Sequence, residues 1–246
     1  DERLDDEDFA EEQNLVAGLV HLLHDDDPSR HFTLLTAARK AYSAGGARRL
    51  RYTLVPIVFA ALAVARRQFK ALDAGTADSW SEVGKKSMEF VHATISGLAK
   101  TEGCAELALR LFLTASLEAG RLGFESVAYE FVARAFSLYE ELAKAEEQAQ
   151  AITLIIATIQ RSTAFGADNN DTLVAKSAQY AAKLLLKQAQ ARAVYLVSHL
   201  FWKKGEDGTF EGKAAVQDGK RVLECLQRSL KIADNCMESN VIVQLF

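Results

Sequence analysis

The sequence predicts an all-α protein: an antiparallel helical-repeat solenoid of the HEAT-like type, with about eleven helices and no sheet. Apolar residues recur at three- and four-residue steps, as at Val127, Phe131, Ala135 and Leu138, which is the spacing of one helix face. No alternating strand pattern or hairpin dipeptide separates the apolar runs. Helix starts recur at roughly 20–25 residues, the spacing of HEAT and armadillo units. Even spacing and short loops favour a solenoid, while a globular helical bundle remains the alternative.

Start and stop residues place the individual helices. Asp27 offers an N-cap before Pro28 at the first helical position, and Gly120 supplies a stop. We expect one solenoid domain over residues 1–246. The predicted helices lie near residues 8–24, 28–43, 53–70, 79–100, 102–119, 124–142, 147–164, 169–187, 189–203, 212–236 and from 238 onward.

Composition narrows the class of protein. The 246 residues are 49% hydrophobic and 25% charged, the balance of a soluble folded protein. The net charge of -4 argues against a nucleic-acid binder. The acidic start DERLDDEDF is unlike a secretory signal. The longest apolar run, from Leu54 to Ala65, is shorter than the roughly 20 residues of a membrane span, so we expect a buried helix.

Residue patterns typical of catalysis are missing from the sequence. It holds no GxxxxGK[ST], GxGxxG, HExxH or GxSxG motif. His21 and His24 precede three aspartates, but these aspartates lead into Pro28, where they can cap the next helix. The three cysteines form no CxxC pair, which is typical of reduced cytosolic thiols. We therefore expect no enzyme activity, no cofactor and no metal site.

The charge distribution indicates a surface of interest near the N-terminus. Residues 28–72 contain arginines and lysines but no acidic residue, whereas the first twelve residues are strongly acidic. The ordinary interpretation is complementarity within the chain together with solvated faces. The alternative is a basic surface for an acidic partner, centred on Arg49, Arg51 and Tyr52 in the glycine-containing stretch SAGGARRLRY.

Several sequence blocks resemble one known family. These are AGGARRLRYTLVPIVFAA (44–61), VAYEFVARAFSLYE (127–140), HLFW (199–202) and GKRVLECL (219–226). They are similar to the C-terminal half of the large α-solenoid subunit of retromer, vacuolar protein sorting-associated protein 35. The resemblance covers nearly the whole chain. It implies a fragment of a longer scaffold, without the scaffold's N-terminal part and extreme C-terminus.

The resemblance implies a non-catalytic scaffold that sorts cargo from endosomes to the Golgi or plasma membrane. It would lie in the cytoplasm, peripheral on endosomal membranes, and would contact endosomal regulators and sorting adaptors. In this family the C-terminal solenoid binds a subunit with a metallophosphoesterase fold. His199 and Trp202 are the candidate contacts, together with Arg49, Arg51 and Tyr52. An unrelated HEAT-type adaptor and a helical enzyme are the competing functions.

The environment of His199 has two interpretations. If the helix continues through residue 203, His199 and Trp202 share a side, while Val197, Leu200 and Phe201 form the core face. Exposed aromatic anchors concentrate binding energy, which favours a partner surface. The alternative is a core histidine beneath a tryptophan lid.

The resemblance also implies a weak homodimer through the solenoid tip. The acidic helix end would be Glu140 and Glu141, and the basic end Lys183 and Lys187, four residues apart on one helix side. Opposite charges on successive helix ends suit a two-fold contact. The acidic loop is one residue shorter than the family pattern, and Leu186 replaces a lysine. Ordinary solvated helix ends are the alternative interpretation.

Overall fold

The computed structural model describes residues 5–71, 77–205, 208 and 215–236, and side chains throughout these ranges except at 71–83. This part of the chain contains ten α-helices, two short 3-10 turns and one pair of two-residue strands. The helices are α1 Asp6–Gly18, α2 Pro28–Ser43, α3 Ala47–Ala71, α4 Ala77–Ala99, α5 Ala105–Arg121, α6 Glu125–Glu141, α7 Ala145–Arg161, α8 Ala167–Lys183, α9 Lys187–Ser198 and α10 Gly219–Asp234. The 3-10 turns are Leu19–Leu22 and His199–Phe201, and the strands are β1 Trp202–Lys203 and β2 Val216–Gln217.

Contacts divide the chain into two compact units, Asp1–Ala115 and Ser116–Phe246. In the first unit, α3 packs against α1, α2 and α4. In the second unit, α7 packs against α6, α8 and α9, and α9 packs against α10. Contacts between successive and next-but-one helices are those of a helical-repeat protein, in which each helix covers the apolar face of its neighbours.

Helix α3 forms the centre of the first unit. Its apolar run is buried, including Ile57, Val58 and Leu62, so the prediction of a buried helix over this segment is confirmed. The predicted cap of α2 is also confirmed, because the Asp27 carboxylate accepts a hydrogen bond of 2.9 Å from the Ser29 N–H, with Pro28 in the first turn.

A buried helix face and specific hydrogen bonds position the helices of the second unit. The predicted core face of α6 is largely confirmed, since Phe131, Ala135 and Leu138 are buried. The Glu125 carboxylate at the start of α6 accepts 2.7 Å from the Gly166 N–H and 2.9 Å from the Asn169 side chain. It thereby caps the N-terminus of α8, where the first backbone N–H groups lack partners within the helix.

The predicted all-α fold class is confirmed by these ten helices, with local departures at several helix ends. Residues 162–166 are not helical, so α7 ends earlier than predicted. The chain also leaves the helix after Phe201 and forms an antiparallel pair in which Trp202 faces Gln217. Within the strand Trp202 is exposed and Lys203 is buried, as successive side chains of a strand point to opposite faces. The prediction of no sheet is therefore wrong at this pair. The helix predicted from 238 lies outside the described residues.

Among the described residues, no helix combines the length and apolar character that crossing a membrane requires.

Candidate protein-interaction surfaces

The first candidate surface lies where α9 ends, in the second unit. Val197, Leu200 and Phe201 are buried, which confirms the predicted core face. His199 is half-buried in the 3-10 turn, and 47% of Trp202 is exposed at the start of β1. The prediction that the two residues share a side of one helix is wrong, because the helix ends before Trp202. The Trp202 N–H still donates to the His199 carbonyl, so the exposed indole directly follows the turn that holds His199.

Tyr195 lies against His199 and was not among the predicted contacts. Its ring meets the His199 ring edge to face, with centroids 5.2 Å apart and an interplanar angle of 89°. The two residues are four apart at the end of α9, so the i,i+4 spacing was the signal for this pair. Tyr195 is 46% exposed. The structure therefore brings together Tyr195 and His199 and leaves both the Tyr195 and Trp202 rings open to solvent.

Lys203 anchors the strand that carries Trp202. It is only 6% exposed, and its Nζ donates 2.9 Å to the Ile159 carbonyl and a second hydrogen bond to the Ser162 carbonyl. These carbonyls lie at the end of α7, where the last turn of a helix leaves its acceptors unpaired. Burial lowers the pKa of Lys203 from 10.5 to about 8. A buried lysine is uncommon, and nothing in the local sequence pattern indicated it.

The second candidate surface is the acid-free segment of the first unit, where much of the positive charge is used within the chain. Arg48 pairs with Asp6 and lies 4.0 Å from the centroid of the Phe9 ring. Arg39 lies over the Phe90 ring at 4.4 Å and donates 3.2 Å to the Thr94 hydroxyl. These contacts agree with the interpretation of intramolecular complementarity.

Arg49 and Arg51 differ from the other arginines just described. Both are exposed, and within the described residues neither has a carboxylate at ion-pair distance. Arg51 lies 5.8 Å from the centroid of the Tyr52 ring, which in turn meets the Phe9 ring edge to face at 6.3 Å. Arg51 and Tyr52 are therefore neighbours on the first turns of α3, whereas Arg49, two positions before Arg51, lies on a different side of the helix.

The third candidate surface is the pair of charged helix ends in the second unit. The Tyr180 hydroxyl donates a hydrogen bond to Glu140, and Lys176 lies 3.7 Å from the same carboxylate. The Tyr180 hydrogen bond lowers the pKa of Glu140, and the charges of Lys176 and Lys183 act in the same direction. Part of the predicted acidic end is thus already balanced within one copy, whereas Glu141 is exposed.

The structure arranges Lys183 and Lys187, the predicted basic end, differently from the prediction. Lys183 is the last residue of α8 and Lys187 the first residue of α9, so they do not share a helix side. Leu184 interrupts the helix with extended backbone (φ -57°, ψ 136°) and is itself buried, which fixes the turn between them. The Lys187 ammonium donates 3.1 Å to the Gln190 side chain.

The histidine and aspartate cluster has a structural role. His24 lies 3.4 Å from Asp26, Asp25 accepts 2.8 Å from the Asp27 N–H, and Asp27 caps α2. Arg67 donates to the buried His31 ring. Within the described ranges, no group of three or more His, Cys, Asp or Glu side chains is placed to hold a metal ion.

Comparison with known proteins identifies the family. The family model for vacuolar protein sorting-associated protein 35 matches residues 1–246. The chain belongs to this family. Vacuolar protein sorting-associated protein 35B of Arabidopsis thaliana is 43% identical over 95% of this chain and 28% of its own length. Vacuolar protein sorting-associated protein 35 of Schizosaccharomyces pombe is 39% identical over 94% of this chain and 27% of its own length. The chain therefore spans little more than a quarter of the curated relatives it matches.

In this member of the vacuolar protein sorting-associated protein 35 family, the predicted partner contacts fall into both compact units. His199 and Trp202 lie in the second unit, and Arg49, Arg51 and Tyr52 in the first. All five residues are at least partly accessible. Of the self-association residues, Glu140 and Lys183 are close enough for the lysine charge to lower the pKa of the carboxylate.

Proposed function

We propose that this chain is the C-terminal region of a retromer scaffold and binds a subunit with a metallophosphoesterase fold. The scaffold has no catalytic role of its own and supports cargo sorting from endosomes to the Golgi or plasma membrane. It works in the cytoplasm, peripheral on endosomal membranes, alongside endosomal regulators and sorting adaptors. Membership of the vacuolar protein sorting-associated protein 35 family and the helical-repeat architecture support this proposal.

The observation that carries the proposal is the set of accessible aromatic side chains at the end of α9 and the start of β1, namely Tyr195, His199 and Trp202. Nearly half of the surface of Tyr195 and of Trp202 is accessible to solvent. Large aromatic side chains gain free energy when a partner covers them, so their exposure here favours a binding surface. The surface is also held in place. Lys203 ties the strand of Trp202 to the end of α7, so little conformational entropy is lost on binding.

Arg49, Arg51 and Tyr52 form a second proposed contact, suited to a partner with acidic groups. A weak homodimer through Glu140, Glu141, Lys183 and Lys187 is a further part of the proposal. Because these charges are exposed to solvent, each pair across the dimer contributes only about 0–1 kcal/mol.

Substitution of His199 by arginine tests the principal contact. The longer, permanently charged side chain does not fit a site that is desolvated by a partner. We expect His199→Arg to lose the one-to-one complex with the phosphoesterase-fold subunit in size-exclusion chromatography, while its circular dichroism spectrum and melting temperature stay those of the parent chain.

His24→Arg is the matched control, because it makes the same change at an exposed histidine of the first unit that lies outside both proposed contacts. It should retain the complex. Normal binding by His199→Arg would contradict the proposal. Unfolding of that variant would instead support the interpretation of His199 as a core residue.

A further inference from the structure

A buried histidine connects α2 to α3 within the first unit. His31, in the first turn of α2, is only 8% exposed to solvent. Arg67, near the end of α3, donates to the Nδ1 atom of His31 and also donates 3.3 Å to the carbonyl of Asp25. One guanidinium therefore holds two features against α3: the first turn of α2 and the segment before it, residues 23–27, which we call the 23–27 connection.

The geometry fixes the protonation state of His31. An arginine side chain only donates hydrogen bonds, so Nδ1 is the accepting nitrogen and the neutral ring carries its proton on Nε2. The Nε2 atom is buried and has no hydrogen-bond partner among the described residues. A second proton on the ring would go to Nδ1, where it would replace the hydrogen bond from Arg67.

Positive charge next to the ring opposes protonation of His31. Arg67 faces the ring from α3, and among the described residues no carboxylate lies within ion-pair distance of Arg67. On α2 itself, Arg30 pairs with Asp27 at 3.6 Å, so these two charges largely offset each other. A protonated His31 would therefore lie directly against an uncompensated guanidinium, and like charges at this distance repel.

The 23–27 connection presents groups of both signs to the ring. His24 meets the ring edge to face, with centroids 5.5 Å apart, and lies 3.4 Å from Asp26. The charge of His24 acts against protonation of His31, whereas the charge of Asp25 favours it. Burial has the largest effect, and together with Arg67 and His24 it outweighs Asp25. The pKa of His31 therefore lies below the usual 6.5.

We propose that His31 and Arg67 form a pH-sensitive contact, which holds the 23–27 connection on α3 while His31 is neutral and releases it when His31 is protonated. Protonation removes the Nδ1 acceptor and places two cations together, so Arg67 moves away and the Asp25 carbonyl loses its donor. The 3-10 turn Leu19–Leu22 packs on α3 and leads directly into this connection, so it loosens as well. The inference does not depend on the proposed function.

The first test is the pH dependence of stability. Because the pKa of His31 is lower in the folded chain than in the unfolded chain, the free energy of unfolding falls as the pH falls through 6.5. His31→Gln should reduce this fall, since glutamine keeps an oxygen that accepts from Arg67 but is not protonated. Urea unfolding at pH 7.5 and 5.5 compares the two proteins. The ratio of their unfolding equilibrium constants should change about threefold or more between these pH values.

The second test locates the response by hydrogen–deuterium exchange, corrected for the intrinsic effect of pH on exchange. In the parent chain, protection of residues 19–27 should fall about threefold or more between pH 7.5 and 5.5, while the buried run at residues 54–62 keeps its protection. In His31→Gln, residues 19–27 should be equally protected at both pH values. Arg67→Met should leave them weakly protected at both, because it removes the donor to the Asp25 carbonyl.

His21→Gln is the matched control, because it makes the same substitution at an exposed histidine of the same unit. It should leave both pH responses as they are in the parent chain. Equal pH responses in the parent chain and in His31→Gln would overturn the proposal. So would constant protection of residues 19–27 in the parent chain between pH 7.5 and 5.5, a result that needs no variant and decides the question even if His31→Gln fails to fold.

Discussion

Replacement of Lys203 by methionine should change how stability depends on pH. The folded-state pKa of Lys203 is about 8, below the 10.5 of an unfolded lysine, because the ammonium is buried. Between pH 8 and 10.5 the unfolded chain therefore binds more protons than the folded chain, so the free energy of unfolding rises with pH in this window. The difference of about 2.5 pH units corresponds to roughly 3 kcal/mol at 1.36 kcal/mol per unit.

Lys203→Met removes this titration but keeps a long side chain in the buried position. It also leaves the Ile159 and Ser162 carbonyls without their donor, which costs about 1–3 kcal/mol for a buried polar group. At pH 7 this cost is offset by the relief of burying a charge, so the two proteins should have similar stability. At pH 10, where the folded-state lysine is neutral, the parent chain should be more stable by about 2–3 kcal/mol.

Urea unfolding followed by circular dichroism at pH 7, 8, 9 and 10 measures this difference. Thiols and phenols that titrate in the same range are common to both proteins and cancel when the two curves are subtracted. A pH-independent difference between the parent chain and Lys203→Met would refute the assignment of Lys203 as a buried charge that titrates near pH 8.

Two further predictions concern packing and self-association. Gly120→Ala should destabilise the chain by about 1–2 kcal/mol, because the new Cβ would lie 2.9 Å from the Cβ of Ala164. Gly97→Ala, where an added Cβ meets no atom within 4 Å, should stabilise the chain by about 0.5–1 kcal/mol. Thermal melts compare the two variants, and equal effects would contradict the close approach at Gly120. Concentration-dependent dimerisation in 20 mM salt should disappear in the Lys183→Glu, Lys187→Glu double variant, as measured by sedimentation equilibrium, and a parent chain that remains monomeric at high concentration would contradict it.

The helices were predictable because each one buries a periodic apolar face. The run from Leu54 to Ala65 and the face of Phe131, Ala135 and Leu138 are set by spacing alone, and the Asp27–Pro28 start is set by local capping chemistry. These features depend only on residues within a few positions of one another, so the sequence contains the information directly.

The surfaces were less predictable, because they depend on where helices end and on contacts between distant segments. Leu184 breaks the helix that was expected to join Lys183 to Lys187, and its side chain is buried at this turn. Lys203 reaches carbonyls more than forty positions earlier in the chain. No local pattern reveals such a partner, and the position of Trp202 on a strand follows from it.

Hydrogen–deuterium exchange of the chain with and without the phosphoesterase-fold subunit tests the central claim most directly. Amide protection on complex formation should appear in residues 192–204, which carry Tyr195, His199 and Trp202, because a bound partner excludes water from the end of α9 and from β1. Unchanged exchange in this segment, with protection confined to other parts of a chain that still forms the complex, would contradict the claim.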